Sequence, residues 1–111
     1  MKILITGGAG FIGSAITPVL QKEGNDVYIL DNLSFGNREF IDVADDHFFM
    51  YDIRDAQKMN DIITNVEPEV VIHLAAIHFI PYCNEHPYEA ADINIRGTMN
   101  ILAACKKVKS I

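Results

Sequence analysis

Three glycines near the start of the chain have the spacing of a phosphate-binding loop. Gly7, Gly10 and Gly13 follow a short run of apolar and β-branched residues, and a helical apolar pattern begins at Phe11 and Ile12. Glycine adopts φ > 0 readily and lets the backbone approach a ligand closely. A helix that starts there points its free N–H groups and the positive end of its dipole at an anion. The order strand, glycine turn and helix therefore predicts a cradle for a phosphate or pyrophosphate.

An aspartate stands where a ribose bound beside such a loop would lie. Asp31 comes 18 residues after Gly13 and directly after the apolar run Val27–Leu30. A carboxylate there can accept hydrogen bonds from both hydroxyls of an adenosine ribose, and its charge repels a 2′-phosphate. The pattern favours NAD over NADP. The alternatives are a solvated aspartate at a strand end, and a 2′-phosphate held by Arg38 in the following loop.

Two later strand ends supply further candidate residues. Asp52 and Ile53 follow the third predicted strand, and a carboxylate beside a backbone N–H complements the amino group and ring nitrogen of adenine. The alternative is that both belong only to the loop before the helix cap Asp55. Ala75 and Ala76 follow the fourth strand, where small side chains allow a cofactor to approach closely.

Three other residues are interpreted as structural. His73, within the fourth strand, is expected to be a hydrogen-bonded strand histidine rather than a base. Asn94 and Gly97 lie inside the last predicted helix, which Gly97 disfavours by about 1 kcal/mol relative to alanine. We expect tight packing or a side-chain bond to backbone that holds the neighbouring strand.

Alternating strand and helix patterns predict the fold that positions these residues. The strands are expected at about Lys2–Thr6, Val27–Leu30, His47–Tyr51 and Val70–Leu74. The helices are expected at about Gly10–Glu23 (kinked at Pro18), from Asp55 to Pro68 and at Tyr88–Lys107. A helical turn is expected near Arg38–Val43, and a loop at Ile77–Pro87. The fold class is α/β, a Rossmann-type doubly wound parallel sheet of strand order 3-2-1-4. Val108–Ile111 is interpreted as the start of a fifth strand, at which the fold is truncated.

Composition excludes several classes of protein. The 111 residues carry a net charge of -6, so nucleic acid is not an expected partner. No apolar run reaches the ~20 residues of a membrane span. Cys83 and Cys105 give no disulfide framework, and a cytoplasmic location is expected. No metal is predicted, because His78, Cys83 and His86 lack the spacing of a zinc site.

Five motifs in order along the chain resemble one enzyme family. They are Thr6-Gly7-Gly8-Ala9-Gly10-Phe11-Ile12-Gly13, Asp31-Asn32-Leu33-Ser34, Asp52-Ile53-Arg54-Asp55, His73-Leu74-Ala75-Ala76 and Asn94-Ile95-Arg96-Gly97-Thr98. Together they resemble the N-terminal portion of extended short-chain dehydrogenases/reductases of the NAD-dependent epimerase/dehydratase group, with the UDP-glucose 4-epimerases as the nearest type. The resemblance covers essentially the whole chain.

The resemblance implies a role for each matching position. It places Gly7, Gly10, Phe11, Ile12 and Gly13 around the pyrophosphate of NAD, Asp31 and Asn32 at the adenosine ribose, Asp52 and Ile53 at the adenine, and Leu74, Ala75 and Ala76 on the nicotinamide side. In this family the last helix tends to lie at a dimer interface. A homo-oligomer formed through that helix or through the exposed sheet edge is therefore expected.

The chain departs from the family in its catalytic residues. Family chemistry needs a Tyr-x-x-x-Lys pair, in which the lysine lowers the pKa of the tyrosine while hydride passes to NAD. The residues four positions after the tyrosines are Asn32, Asp55, His86 and Asp92. Residues 1–111 are thus expected to be the NAD-binding portion of a nucleotide-sugar epimerase or dehydratase, without catalytic residues or substrate domain. The alternatives are a non-catalytic NAD-binding or sensing module and a self-associating fragment.

Overall fold

Parallel strands and surrounding helices alternate along the chain. The computed structural model describes all 111 residues. The strands are β1 Lys2–Thr6, β2 Asp26–Leu30, β3 Phe48–Phe49 and β4 Val70–His73, and the helices are α1 Phe11–Lys22, α2 Ala56–Val66, α3 Ile80–Glu85, α4 Pro87–Ala91 and α5 Thr98–Ala104. A π-helical segment, Asp92–Gly97, joins α4 to α5, and single 3₁₀ turns lie at Arg38–Phe40 and Asp45–His47. No helix is long and apolar enough to cross a lipid bilayer.

The four strands form one parallel sheet in the order β3-β2-β1-β4, which confirms the predicted topology. Thr6 at the end of β1 pairs with Leu30 of β2 on one side and with His73 of β4 on the other. Three strands therefore end at the same level, and the segments that follow them meet at one edge. On the outer side of β4, Ser110 forms a single parallel bridge with Val70, where the fifth strand was expected to begin.

Successive side chains of β1 point to opposite faces of the sheet, so the core has a part on each face. Leu4 belongs to a cluster with α2 and the 87–104 helical region, whereas Ile3 and Ile5 belong to a cluster on the α1 face. Helix α2 buries one apolar stripe, formed by Met59, Ile62, Ile63 and Val66. Both faces of the sheet are thus covered, as a parallel sheet requires.

The last helical region differs from the single regular helix predicted. It ends at Ala104 rather than Lys107, and the π-helical segment interrupts it. One apolar face of this region, represented by Ile93 and Ile101, packs against the core, while Ile95 on another face remains 63% exposed. The region thus covers the sheet with one face and leaves apolar side chains exposed on another.

Two other expectations were wrong in part. The predicted loop Ile77–Pro87 contains α3. Pro81 is compatible with this helix because it lies in the first turn, where its missing N–H costs no intrahelical hydrogen bond. Strand β3 has two residues instead of the predicted span from His47 to Tyr51. The 3₁₀ turn at Asp45–His47 occupies the chain just before it.

Candidate functional site

A cavity of about 630 Å³ lies where the segments after β1, β2, β3 and β4 converge. Every predicted site residue lines it: Gly7, Gly10, Phe11, Ile12, Gly13, Asp31, Asn32, Asp52, Ile53, Leu74, Ala75 and Ala76. The structure therefore brings together all the positions that the sequence singled out. What they bind there remains a prediction.

The glycine loop is closely packed against its neighbours. Gly7 has φ +68°, and a Cβ atom on it would lie 2.7 Å from the backbone nitrogen of Ala75. A Cβ on Gly13 would overlap the backbone of Gly8. No side chain caps α1, whose N-cap is Gly10. The free N–H groups of its first turn are therefore left for an anionic ligand.

Asp31 is buried and holds the glycine loop to the end of β2. Its side chain accepts hydrogen bonds from the N–H groups of Ala9 at 3.0 Å and of Leu33 at 2.8 Å. The residue is only 8% exposed, so it is not a solvated aspartate at a strand end. The Arg38 guanidinium instead donates to the carbonyl oxygens of Ile41 and Val43, outside the cavity lining.

The carboxylate of Asp52 is clamped by Arg54. Oδ1 accepts from the backbone N–H and the Nε–H of Arg54 at 2.8 and 3.0 Å, and Oδ2 accepts from Nη2–H at 2.7 Å. These hydrogen bonds hold the pKa of Asp52 below its usual value, so the carboxylate is ionised at neutral pH. A fourth donor, the side-chain amide of Asn32, lies at 3.3 Å. Asp55 caps α2 by accepting from the N–H of Lys58, as predicted.

A chain of hydrogen bonds runs beneath the Ala75 side of the cavity. The hydroxyl of Thr98 donates to the carbonyl oxygen of Asn94, so it accepts from Nε2 of His73 at 2.9 Å. The other ring nitrogen, Nδ1, then accepts from the hydroxyl of Thr6 at 2.6 Å, and that hydroxyl accepts from the N–H of Ala75 at 3.3 Å. These partners assign the neutral Nε2–H tautomer.

Burial supports the same protonation state of His73. It lowers the pKa of this imidazole below its ordinary value, so the ring is neutral at neutral pH. The interpretation of His73 as a hydrogen-bonded strand histidine is confirmed.

The helical region 87–104 supports two segments that line the cavity, those of Ile53 and Ile77. The Asn94 amide bonds both backbone groups of Ile77, accepting from its N–H and donating to its C=O, each at 2.8 Å. Gly97 packs against Ile53, whose Cγ1 would lie 2.6 Å from a Cβ at that position. Both structural predictions are confirmed. Sequence reasoning missed Asn100, which donates to the carbonyl oxygens of Ile53 and Arg54 at 3.0 and 3.1 Å.

Part of the cavity wall was not predicted. Phe35, Tyr82 and Glu89 line it together with Arg54, although they come from separate segments. The chain gives little signal for them, because no local pattern shows that side chains from such separate segments meet. No group of three or more His, Cys, Asp or Glu side chains is arranged to hold a metal ion.

Comparison with known proteins identifies the family of the chain. Residues 3–110 match the model of the NAD dependent epimerase/dehydratase family. The chain is 38% identical to the UDP-glucose 4-epimerase of Lactobacillus helveticus over 94% of its own length and 31% of that protein. It is also 38% identical to dTDP-glucose 4,6-dehydratase 1 of Escherichia coli, over 96% of its own length and 31% of that protein.

A solved structure extends the likeness to the fold. The crystal structure of the Thermus thermophilus UDP-glucose 4-epimerase in complex with NAD superimposes with a TM-score of 0.87 at 39% identity, covering 95% of this chain and 33% of that one. The chain therefore spans about a third of the length of these relatives. On the family match and the shared fold together, the chain belongs to the NAD-dependent epimerase/dehydratase family.

Proposed function

We propose that this chain binds NAD in the cavity at the carboxyl ends of its strands. The observation that carries the proposal is the convergence of an uncapped helix N-terminus, a close-packed glycine loop and the buried carboxylate of Asp31. The first two features suit a pyrophosphate, and the third suits a ribose. The NAD bound to the Thermus relative, which has the same fold, supports the identity of the ligand.

The proposed pose runs across the sheet from β3 to β4. The pyrophosphate lies on Gly7, Gly10, Phe11, Ile12 and Gly13, the adenosine ribose on Asp31 and Asn32, the adenine on Asp52 and Ile53, and the nicotinamide side on Leu74, Ala75 and Ala76. Asp31 already uses one lone pair of each oxygen for the backbone. A carboxylate offers about four lone-pair sites, so two remain for the ribose hydroxyls.

Adenine recognition requires one hydrogen bond to be exchanged. Four donors already occupy the carboxylate of Asp52, and the longest of these bonds, at 3.3 Å, comes from Asn32. An adenine amino group replaces this donor at least cost, because the three bonds from Arg54 are shorter. The released amide of Asn32 then faces the neighbouring ribose.

The choice of NAD over NADP tests the role of Asp31. Isothermal titration of the 111-residue chain with each nucleotide gives the ratio of the two dissociation constants. We expect NAD to bind at least about tenfold more tightly, since a like charge placed against a 2′-phosphate costs more than about 1.4 kcal/mol. Asp31→Asn removes the charge and should reduce this ratio, whereas Asp42→Asn outside the cavity should leave it unchanged. Equal affinities in the unmodified chain would refute the assignment.

The activity of a longer protein containing this chain is a further proposal. We propose that it epimerises or dehydrates a nucleotide sugar by transient hydride transfer to NAD, since an epimerase and a dehydratase are each 38% identical to this chain. Residues 1–111 contain no Tyr-x-x-x-Lys pair to move the proton. The isolated chain should therefore bind NAD without converting UDP-glucose, and turnover by these residues alone would contradict the proposal.

We also propose that the chain self-associates through its last helical region. Ile95, Met99 and Leu102 are exposed there at a spacing that forms one apolar stripe. Sedimentation should show a dimer that Leu102→Glu dissociates, whereas a monomer at all concentrations would exclude this surface.

We propose a cytoplasmic location for the chain. The thiols of Cys83 and Cys105 are unpaired, which suits the reducing cytoplasm.

A further inference from the structure

Two aromatic rings that line the cavity contact each other. β2 and β4 flank β1 in the sheet, so the segments that follow them flank the glycine loop. Phe35 lies in the segment after β2, and Tyr82 lies on α3 after β4. Their ring centroids are 5.6 Å apart at an interplanar angle of 80°, an edge-to-face contact between two residues that both line the cavity. This contact therefore bridges the cavity from one flank to the other.

Tyr82 is the fixed half of this bridge. Its hydroxyl donates to Glu89 at 2.9 Å, and its ring packs on His86 with centroids 4.5 Å apart. The hydrogen bond to Glu89 raises the pKa of Tyr82, so the hydroxyl keeps its proton at neutral pH. Glu89 in turn lies 4.0 Å from Nη1 of Arg54, the residue that clamps Asp52. Tyr82 is thus tied to the side chains proposed to recognise adenine.

Phe35 is the movable half of the bridge. Its backbone is held, because the adjacent Gly36 packs against Ala9 and the N–H of Asn37 donates to the Ala9 carbonyl at 3.1 Å. Phe35 is 57% exposed, and its one aromatic contact is with Tyr82. Rotation of this side chain alone opens the bridge, and exposed side chains change rotamer within picoseconds to nanoseconds.

We propose that Phe35 and Tyr82 form a gate that opens to admit the dinucleotide and closes over it once bound. The proposal rests on the proposed NAD site and adds a control of exchange to it. An edge-to-face pair stabilises the closed form enough to populate it about 2- to 13-fold over the open form. A variant without the pair is always open, so its association and dissociation rate constants should each rise about 3- to 14-fold, the ratio of all forms to the open form. The dissociation constant, which is their ratio, should change little.

Stopped-flow measurements with NADH distinguish a gate from a binding wall. NADH is fluorescent and NAD is not, so the nicotinamide fluorescence reports both the association of NADH and its displacement by excess NAD. Phe35→Ala should raise both rate constants, and Tyr82→Ala should do the same. The double variant should match the single ones, because either change removes the same contact. Phe40→Ala is the control, since this exposed ring lies outside the cavity lining.

Each outcome decides between the possibilities. Equal acceleration of both rate constants in the Phe35 and Tyr82 variants supports the gate. Unchanged rate constants in variants that still bind NADH overturn the gate and leave the NAD site standing. A faster dissociation with unchanged association, and hence weaker affinity, also overturns it, because the rings are then part of the binding wall. Failure of the unmodified chain to bind NADH or NAD overturns the NAD site and the gate together.

Discussion

The replacement of Gly97 by alanine tests how the last helical region positions the adenine end of the cavity. A Cβ at Gly97 would lie 2.6 Å from Cγ1 of Ile53 and closer still to its Cδ1. Ile53 is 4% exposed and packs within the larger core cluster, so it has little room to retreat. Two effects of opposite sign compete, and their magnitudes decide the outcome.

Overpacking should outweigh the gain in helix propensity. Alanine stabilises a helix interior by about 1 kcal/mol over glycine. Forcing one extra methyl group into a well-packed core costs about 1–3 kcal/mol. Gly97→Ala should therefore lower the free energy of unfolding by about 1 kcal/mol, with a range of about 0–2. Because Ile53 lines the cavity, its displacement should also weaken NAD binding.

A double-mutant cycle makes this reasoning refutable. Ile53→Val removes Cδ1, the atom nearest the new methyl group, and should cost about 0.5–1.5 kcal/mol alone. Combined with Gly97→Ala, the loss should be smaller than the sum of the two single losses by at least about 0.5 kcal/mol. Urea unfolding followed by circular dichroism gives the four free energies. Strict additivity, or a Gly97→Ala chain more stable than the unmodified one, would show that the contact with Ile53 does not decide the outcome.

Three further predictions concern polar groups outside the cavity lining. Asn94→Ala leaves the N–H and C=O of Ile77 without their partner and should cost about 2 kcal/mol in urea unfolding. A loss below about 0.5 kcal/mol would contradict the paired bonds. Burial lowers the pKa of His73, so the unfolded chain binds a proton that the folded chain does not, and stability should fall as the pH drops below about 6.5. The contribution of His47 to stability has the opposite pH dependence. A hydrogen bond to Asp46 and a second one to Asp26 raise the pKa of His47, although burial opposes them. Its contribution is present below about 6.5 and is lost as the pH rises through the raised pKa, so His47→Asn should destabilise more at pH 5.5 than at pH 8; a loss independent of pH would refute this.

The parts of the site that follow from local sequence were predictable. The glycines, Asp31 and the strand alternation each obey a rule that links residue type to backbone position, and the topology then brings their strand ends together. Asn94 and Gly97 were identified because they violate helix propensity, and such violations persist where packing or a hydrogen bond compensates. Their contacts with Ile77 and Ile53 supply that compensation.

The parts that depend on distant contacts were not predictable from the chain. Phe35 and Tyr82 are 47 positions apart, and nothing in either local pattern signals that they meet. The π-helical segment likewise keeps the apolar pattern of an ordinary helix. The prolines and aromatics in the segment of helix α3 are typical of a loop, although proline is compatible with a first helical turn.

Amide NMR of the 111-residue chain titrated with NAD tests the central claim most directly. NAD bound in the cavity should shift the amide signals of the glycine loop 7–13 together with those of Asp31, Asn32, Ile53 and the segment 74–76. The amide signals at the carboxyl end of α2, which lies at the opposite edge of the sheet, should not shift. Saturating NAD without shifts at the glycine loop, or with the largest shifts elsewhere on the chain, would contradict the account.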